Sequence, residues 1–263
     1  MMGDNKLSLQ GKARLDILKG ALAAGKTGAH IAPSLSDVDL CLAVLQQFDS
    51  SNDTFILSKG HGALGYYAAM HQLRMISNEQ FDSFEKNGGK FPGQPSRHSD
   101  NRIQCSSGSL GMGLSYGLGT ALGNKAGKVY VVLGDGELNE GSNWEAAALA
   151  HQYALENLIA VVDNNGLQSD GRCRDIVGQN LVNLWQAFGW EVVECDGHSF
   201  DALDGALRTQ HPGKPLAVIA YTVKGKGVSF MENNNAWHHA TLKEADYEKA
   251  VQEIGEAYGL CKE

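Results

Sequence analysis

The sequence predicts an α/β fold: one doubly wound domain spanning residues 1–263, with a mainly parallel sheet and helices on both faces. Two observations predict it. Near-continuous apolar, β-branched runs recur at 128–136 (KVYVVLGDG), 158–166 (LIAVVDNNG), 190–197 (WEVVECDG) and 215–222 (PLAVIAYT), and the intervals between them leave room for helices. Strands that are apolar on both faces belong to a parallel sheet covered on both sides.

The elements follow in order. Leu15, Leu18 and Leu22 recur at helical spacing near the N-terminus. Ser142-x-x-Glu145 has the pattern of a capping box and opens an Ala-rich helix running to about Leu155. Thr241-x-x-Glu244 repeats that pattern, and Tyr247, Val251, Ile254 and Tyr258 then mark one face of a C-terminal helix.

Composition narrows the function. Lys and Arg number 22 against 30 Asp and Glu, a net charge of −8. That balance argues against sequence-independent binding to nucleic acid or to an anionic membrane. The first twenty residues carry charges throughout and no apolar signal core. The longest apolar run, Leu216 to Tyr221, is far short of the roughly 20 residues of a membrane span. Cys41, Cys105, Cys173, Cys195 and Cys261 are odd in number, scattered and without a Cys-x-x-Cys pair. They read as reduced thiols of a cytoplasmic protein. The 32 glycines have no repeat period and serve tight turns and close backbone approaches.

One phosphate motif is rejected. Gly20 to Thr27 (GALAAGKT) matches a P-loop letter for letter. A P-loop needs a strand before it, whereas the residues before Gly20 have helical spacing. Gly25 and Lys26 suit a helix C-terminus instead.

The informative segment runs from Gly134-Asp135-Gly136 to Asn164-Asn165-Gly166. Both ends follow apolar strands, with a helix between, so two strand ends meet at one sheet edge. Asp135 offers a carboxylate oxygen, Asn165 an amide oxygen, and Leu167 a backbone carbonyl. With two diphosphate oxygens and a water, these complete an octahedral shell for Mg²⁺. The N–H of Gly136 and the helix start beyond it favour phosphate.

This spacing resembles the thiamine diphosphate motif, and the string GDGELNEGSNWEA at 134–146 resembles transketolase in particular. The resemblance spans nearly the whole chain. It includes Gly28-Ala29-His30-Ile31-Ala32-Pro33, Leu57-Ser58-Lys59-Gly60-His61-Gly62, the glycine-rich Ser107 to Gly113, Lys224-Gly225-Lys226-Gly227 and Trp237-His238. It implies a thiamine diphosphate-binding, PP-type domain. It further implies that Asp135, Asn165 and the Leu167 carbonyl hold Mg²⁺, and that Gly136, His61 and His238 face the diphosphate. Lys224 adds positive charge there, and Gly108 and Leu110 bring backbone close to the cofactor rings. His30, His61 and His238 border the substrate. Glu140 and Glu145 are implied to lie toward a dimer interface and relay protons between cofactor sites. His71, His151, His211 and His239 stand outside these segments and are unassigned.

The implied reaction moves a two-carbon ketol unit from a ketose, phosphorylated or otherwise modified, to an aldose. Gln94 stands where the family has a His near the donor hydroxyls. Either His98 swings in to replace it, or the donor is an unusual ketose; an amide cannot titrate near neutral pH. After His238 only 25 residues follow, too few for a second α/β domain of roughly 150 residues. The expected partner is therefore a separate C-terminal transketolase subunit, carrying the pyrimidine-binding domain and its activating Glu, with two copies of each chain. Two alternatives come from the same motif: a relative of 1-deoxyxylulose-5-phosphate synthase, and a non-catalytic thiamine diphosphate-binding module.

Overall fold

A computed structural model describes residues 2–99 and 101–260. Five parallel strands form the sheet: β1 (Thr54–Leu57), β2 (Val129–Gly134), β3 (Leu158–Asn164), β4 (Glu191–Asp196) and β5 (Leu216–Tyr221). Their order is β1-β2-β3-β5-β4. The chain walks from β1 to β3, jumps to the far edge, and returns to β5. That reversal is the doubly wound topology, and it leaves a crevice at the carboxyl ends of the strands. The four apolar runs are β2 to β5. β1 is an additional strand, only four residues long, immediately before the Ser58-Lys59-Gly60-His61 segment.

The helices are α1 (Met2–Ala24), α2 (Ile31–Gln46), α3 (Ala63–Gln72), α4 (Asn78–Phe81), α5 (Met112–Gly123), α6 (Gly141–Gln152), α7 (Cys173–Val177), α8 (Leu181–Ala187), α9 (Phe200–Leu207) and α10 (Glu244–Ala257). One apolar cluster joins α1, α2, α3, α9 and α10 to one sheet face, and a second joins α5, α6 and α8 to the other. The expected faces are present: Leu18 is in the core, and Tyr247, Val251, Ile254 and Tyr258 pack against it. The Gly20 to Thr27 segment is the end of α1 followed by a 3₁₀ turn at Gly25–Thr27, with no strand before it. Cys41, Cys105, Cys173 and Cys195 are free thiols, and Cys261 lies outside the described residues.

Neither expected capping box forms. α6 starts after Glu140 without a side-chain cap, and Ser142 Oγ donates instead to the Gly111 carbonyl at 3.0 Å. Glu145 is exposed on α6. α10 starts after Lys243, so Thr241 lies outside it. The pattern is met in α4, where the Ser77 side chain accepts from Gln80 N and the Gln80 side chain from Ser77 N.

Helix α2 explains how the charged framework is built. Every residue from Ile31 to Leu45 is buried, including Ser34, Ser36, Asp37 and Asp39. A helix buried all round must find partners for its polar side chains. Asp39 accepts two hydrogen bonds from Arg14 of α1, at 2.8 and 2.6 Å, and lies 2.8 Å from His198 Nδ1. Burial alone pushes the Asp39 carboxyl up, but the Arg14 guanidinium outweighs it and holds it at about 2.

Arg14→Ala should leave the buried Asp39 carboxylate with His198 in place of its guanidinium partner and cost about 3–5 kcal/mol of unfolding free energy. Urea unfolding reads this directly, and a loss under about 1 kcal/mol would show that the pair does not brace α1 against α2.

Candidate active site

The strand ends are aligned by register. Gly134 pairs with Asp163, and Asp163 with Ala220, so the turns after β2, β3 and β5 open side by side. The loop from β1 contributes Lys59 and His61. The segment before α2 contributes His30, and the long loop after β5 contributes Lys224 and His238. Two backbone hydrogen bonds, both 3.0 Å, bridge Ala29 and Ala240 and pin the His238 loop to the His30 segment.

These elements enclose a cavity of about 250 Å³. Every cofactor, metal and substrate residue expected from the sequence lines it: His30, His61, Gln94, Gly108, Leu110, Asp135, Gly136, Asn165, Leu167, Lys224 and His238. Glu140 and Glu145 do not. Both are exposed, Glu140 directly before α6 and Glu145 in its second turn. His98 is also exposed and outside the lining, so it does not stand in for Gln94.

The oxygen donors are held by their neighbours. Asp135 accepts from Gly136 N at 2.7 Å and from Gly166 N at 2.5 Å. The Gly136 N–H is therefore taken by the carboxylate beside it, and the four-residue 3₁₀ turn Gly136–Asn139 precedes α6. Asn165 donates through Nδ2 to Asp163 Oδ2 and Ser36 Oγ, each at 3.2 Å, which fixes which end of the amide is oxygen. Lys224 Nζ donates to the carbonyls of Leu167 at 3.4 Å and Gln168 at 3.1 Å.

Behind Asn165 lies a buried charge cluster that sequence reasoning missed. Lys59 Nζ is within hydrogen-bond reach of Asp163 and 3.1 Å from Asp37, all three being essentially inaccessible. Ser36 Oγ donates to Asp163 at 2.7 Å, and Thr222 Oγ1 donates to the same carboxylate. One ammonium serves two carboxyls, and the two respond in opposite directions. Burial pushes Asp163 up, but Lys59 and the hydroxyls outweigh it and hold it below its usual range. Burial raises Asp37 to about 8 despite Lys59. Asp37 also demands glycine nearby: a Cβ on Gly62 would lie 1.7 Å from its Oδ2.

Glu137 is a second unforeseen lining residue. It accepts from Ser58 Oγ at 2.5 Å, Gly111 N at 2.8 Å and Gly134 N at 3.1 Å. The carboxylate ties the glycine-rich loop to the β1 and β2 ends, and burial raises its pKa. The only sequence signal for it was an acid directly after Gly136. For Asp163 the signal was an acid inside an apolar run.

Three imidazoles face one another. Ring centroids are 5.9 Å apart for His30–His61, 5.3 Å for His30–His238 and 5.4 Å for His61–His238. Burial, followed by nearby cationic groups, lowers His30 to about 4, His238 to about 3, and His61 well below its ordinary value. At neutral pH they are uncharged, each able to donate one hydrogen bond and accept another.

The residues fit an anionic cofactor and a hard cation. His238 Nδ1 and Gln168 Nε2 are buried at the cavity without a partner. Lys224 is buried, and burial lowers it to about 8, a cost that an anion would offset. Among the described residues, no group of three or more His, Cys, Asp or Glu could hold a metal ion. An ion here must therefore use the mixed set of one carboxylate, one amide and one carbonyl oxygen, all hard donors suited to Mg²⁺.

A parallel sheet whose strand ends gather such a set is an anion-binding α/β domain. The model of one protein family, described as transketolase, thiamine diphosphate binding domain, matches residues 27–260. A subunit of the apulose-4-phosphate transketolase of Actinobacillus succinogenes is 39% identical over 243 residues, 88% of this chain and 88% of its own. A 6-deoxy-6-sulfo-D-fructose transketolase subunit of a Clostridium species is 35% identical over 272 residues, 96% of this chain and 98% of its own. The crystal structure of a Pichia stipitis transketolase superposes with a TM-score of 0.83 at 25% identity, covering 97% of this chain; the chain spans 41% of that protein. The chain belongs to the transketolase family, as its thiamine diphosphate-binding domain.

An NMR titration of imidazole nitrogens should find His30, His61 and His238 still neutral at pH 5.5, where an ordinary imidazole is mostly protonated. Their folded pKa values lie below the unfolded one. Their contribution to stability is therefore whole above about pH 6.5 and is lost as pH falls from there through about 4 for His30 and about 3 for His238. Titration of all three near 6.5 would contradict the burial argument.

Proposed function

We propose that this chain is the thiamine diphosphate-binding subunit of a two-chain transketolase, moving a two-carbon ketol unit from a ketose to an aldose. The observation that carries the reading is the single cavity lined by Asp135, Asn165, Leu167, Lys224 and three neutral imidazoles. Thiamine diphosphate supplies the electron sink when the ketose C2–C3 bond breaks.

The chain's own residues do the rest. Asp135, Asn165 and the Leu167 carbonyl hold Mg²⁺, and Asp163 and Ser36 orient the Asn165 amide toward it. Lys224, His61 and His238 bind the diphosphate. His30, Gln94 and His238 bind the donor hydroxyls, and the imidazoles pass protons between them. Glu140 and Glu145 serve a contact between chains and not the substrate cavity.

The partner is a second polypeptide that carries the pyrimidine-binding domain, and two copies of each chain assemble. Relatives that this chain matches along most of their length are themselves named as single subunits of a transketolase, which supports a division of the enzyme between two chains. Met112 and Tyr116 on α5, Leu149 on α6 and Tyr153 directly after it are large apolar side chains left exposed, the surface such a partner would cover. The donor is a ketose with an unusual distal end. Two relatives bear the names of such sugars, apulose 4-phosphate and 6-deoxy-6-sulfo-D-fructose. Among the described residues no helix is long and apolar enough to cross a membrane, and the reaction's sugars and cofactor fit a cytoplasmic location.

The test assays ketol transfer by this chain, alone and with its partner, given thiamine diphosphate and Mg²⁺. Activity should require both chains. In the reconstituted complex, Asp135→Ala should weaken cofactor affinity by more than about 100-fold, above the range for outer partners of a metal ligand. Asn165→Ala should cost less, because a neutral ligand is lost. Full turnover by this chain alone, or unchanged affinity in folded Asp135→Ala, would overturn the reading.

A further inference from the structure

A second hollow of about 340 Å³ shares His30 and Gln94 with the cavity. Glu85 and His239 also line it. Neither residue belongs to the cofactor cavity, and both are held in place.

Glu85 is one of few non-glycine residues with positive φ, at 52°. That backbone conformation is strained for a side-chain-bearing residue and persists only where other contacts fix it. Here the Glu85 N–H donates to the Phe91 carbonyl at 3.2 Å, and the Glu85 carboxylate accepts from the Gly93 N–H. Gly93 directly precedes Gln94, and a Cβ there would lie 2.3 Å from Glu85 Oε1. The strained residue thus anchors the Gln94 loop and brings a carboxylate to the mouth of the hollow.

His239 is placed edge-on against His30, with ring centroids 4.6 Å apart and planes at 71°. The Ala29–Ala240 bridge carries it there. Its ring also lies over Gly28, where φ is 72° and a Cβ would come 3.0 Å from His239 Cε1. Among the described residues, no Lys or Arg lines the hollow. The polar side chains are a carboxylate, an amide and imidazoles. That set binds hydroxyl groups, and its charge repels an anion.

We propose that Glu85 and His239 form a specificity subsite that reads the hydroxylated, uncharged part of the ketose beyond the ketol carbons and keeps its anionic end out of this mouth. The inference rests on the ketol-transfer reading and adds to it the residues that select the sugar.

The test uses the complex with its partner chain, thiamine diphosphate and Mg²⁺. Donors are hydroxypyruvate, whose leaving part is only carbon dioxide, and D-xylulose, D-xylulose 5-phosphate and D-fructose 6-phosphate. In Glu85→Gln and His239→Ala, kcat/KM for the best ketose relative to hydroxypyruvate should fall about tenfold, mainly through KM, as expected when hydroxyl partners are lost. Glu85→Gln keeps an acceptor for Gly93 N–H and removes the charge, so it should also raise the preference for D-xylulose 5-phosphate over D-xylulose. His239→Gln should recover part of the loss. Equal losses on hydroxypyruvate and ketoses would mark a merely structural role and overturn the proposal. So would hydroxypyruvate turnover with no ketose accepted. No turnover of any donor would instead overturn the ketol-transfer reading beneath it.

Discussion

The buried ammonium of Lys59 is the constraint on which the site depends. It joins the end of β1 to Asp37 of α2 and Asp163 of β3, with no solvent to screen it. Removing three ionisable groups from water is expensive, and one cation cannot satisfy two carboxylates equally. The structure resolves this by ionising Asp163 and raising Asp37. The ionised Asp163 then has oxygens to offer, and it gives them to Ser36, Thr222 and the Asn165 amide. The orientation of the Asn165 amide at the wall of the cavity is thus decided one layer below it.

The same economy shapes the electrostatics above. Lys224 is pushed down by burial and then by Lys59, Asp135 is pushed up by burial and then by Asp163, and the imidazoles are held neutral. A diphosphate beside Lys224 and a divalent cation beside Asp135 would reverse the first two shifts together. Cofactor and metal are therefore expected to bind cooperatively, each relieving a cost that the chain bears to keep its groups buried. The imidazoles, already uncharged at neutral pH, need no such relief.

Much of this was legible in the sequence, for identifiable reasons. Strands β2, β3 and β5 are buried almost throughout and the edge strand β4 is mostly half-buried, yet all four carry apolar runs, and the Gly-Asp-Gly and Asn-Asn-Gly turns mark where two of them end. β1 was not legible because four residues are too few to show a period. The capping patterns misled because Ser142 finds a tertiary partner in the Gly111 carbonyl, and a local motif yields to such a contact. Glu140 and Glu145 were expected toward a contact between chains, and both are exposed outside the cavity. Lys59, Asp37 and Asp163 lie in three separate segments, and only the fold brings them together.

The central claim is that the ends of β2 and β3 hold a divalent cation through Asp135, Asn165 and the Leu167 carbonyl. Crystals of the complex with thiamine diphosphate and Mn²⁺, measured at the manganese absorption edge, test it most directly. The account predicts one anomalous peak per copy of this chain, about 2.1–2.2 Å from those three oxygens, close to the distances of Mg²⁺ sites. A peak bound elsewhere, or a diphosphate seated with no cation at these oxygens, would contradict it.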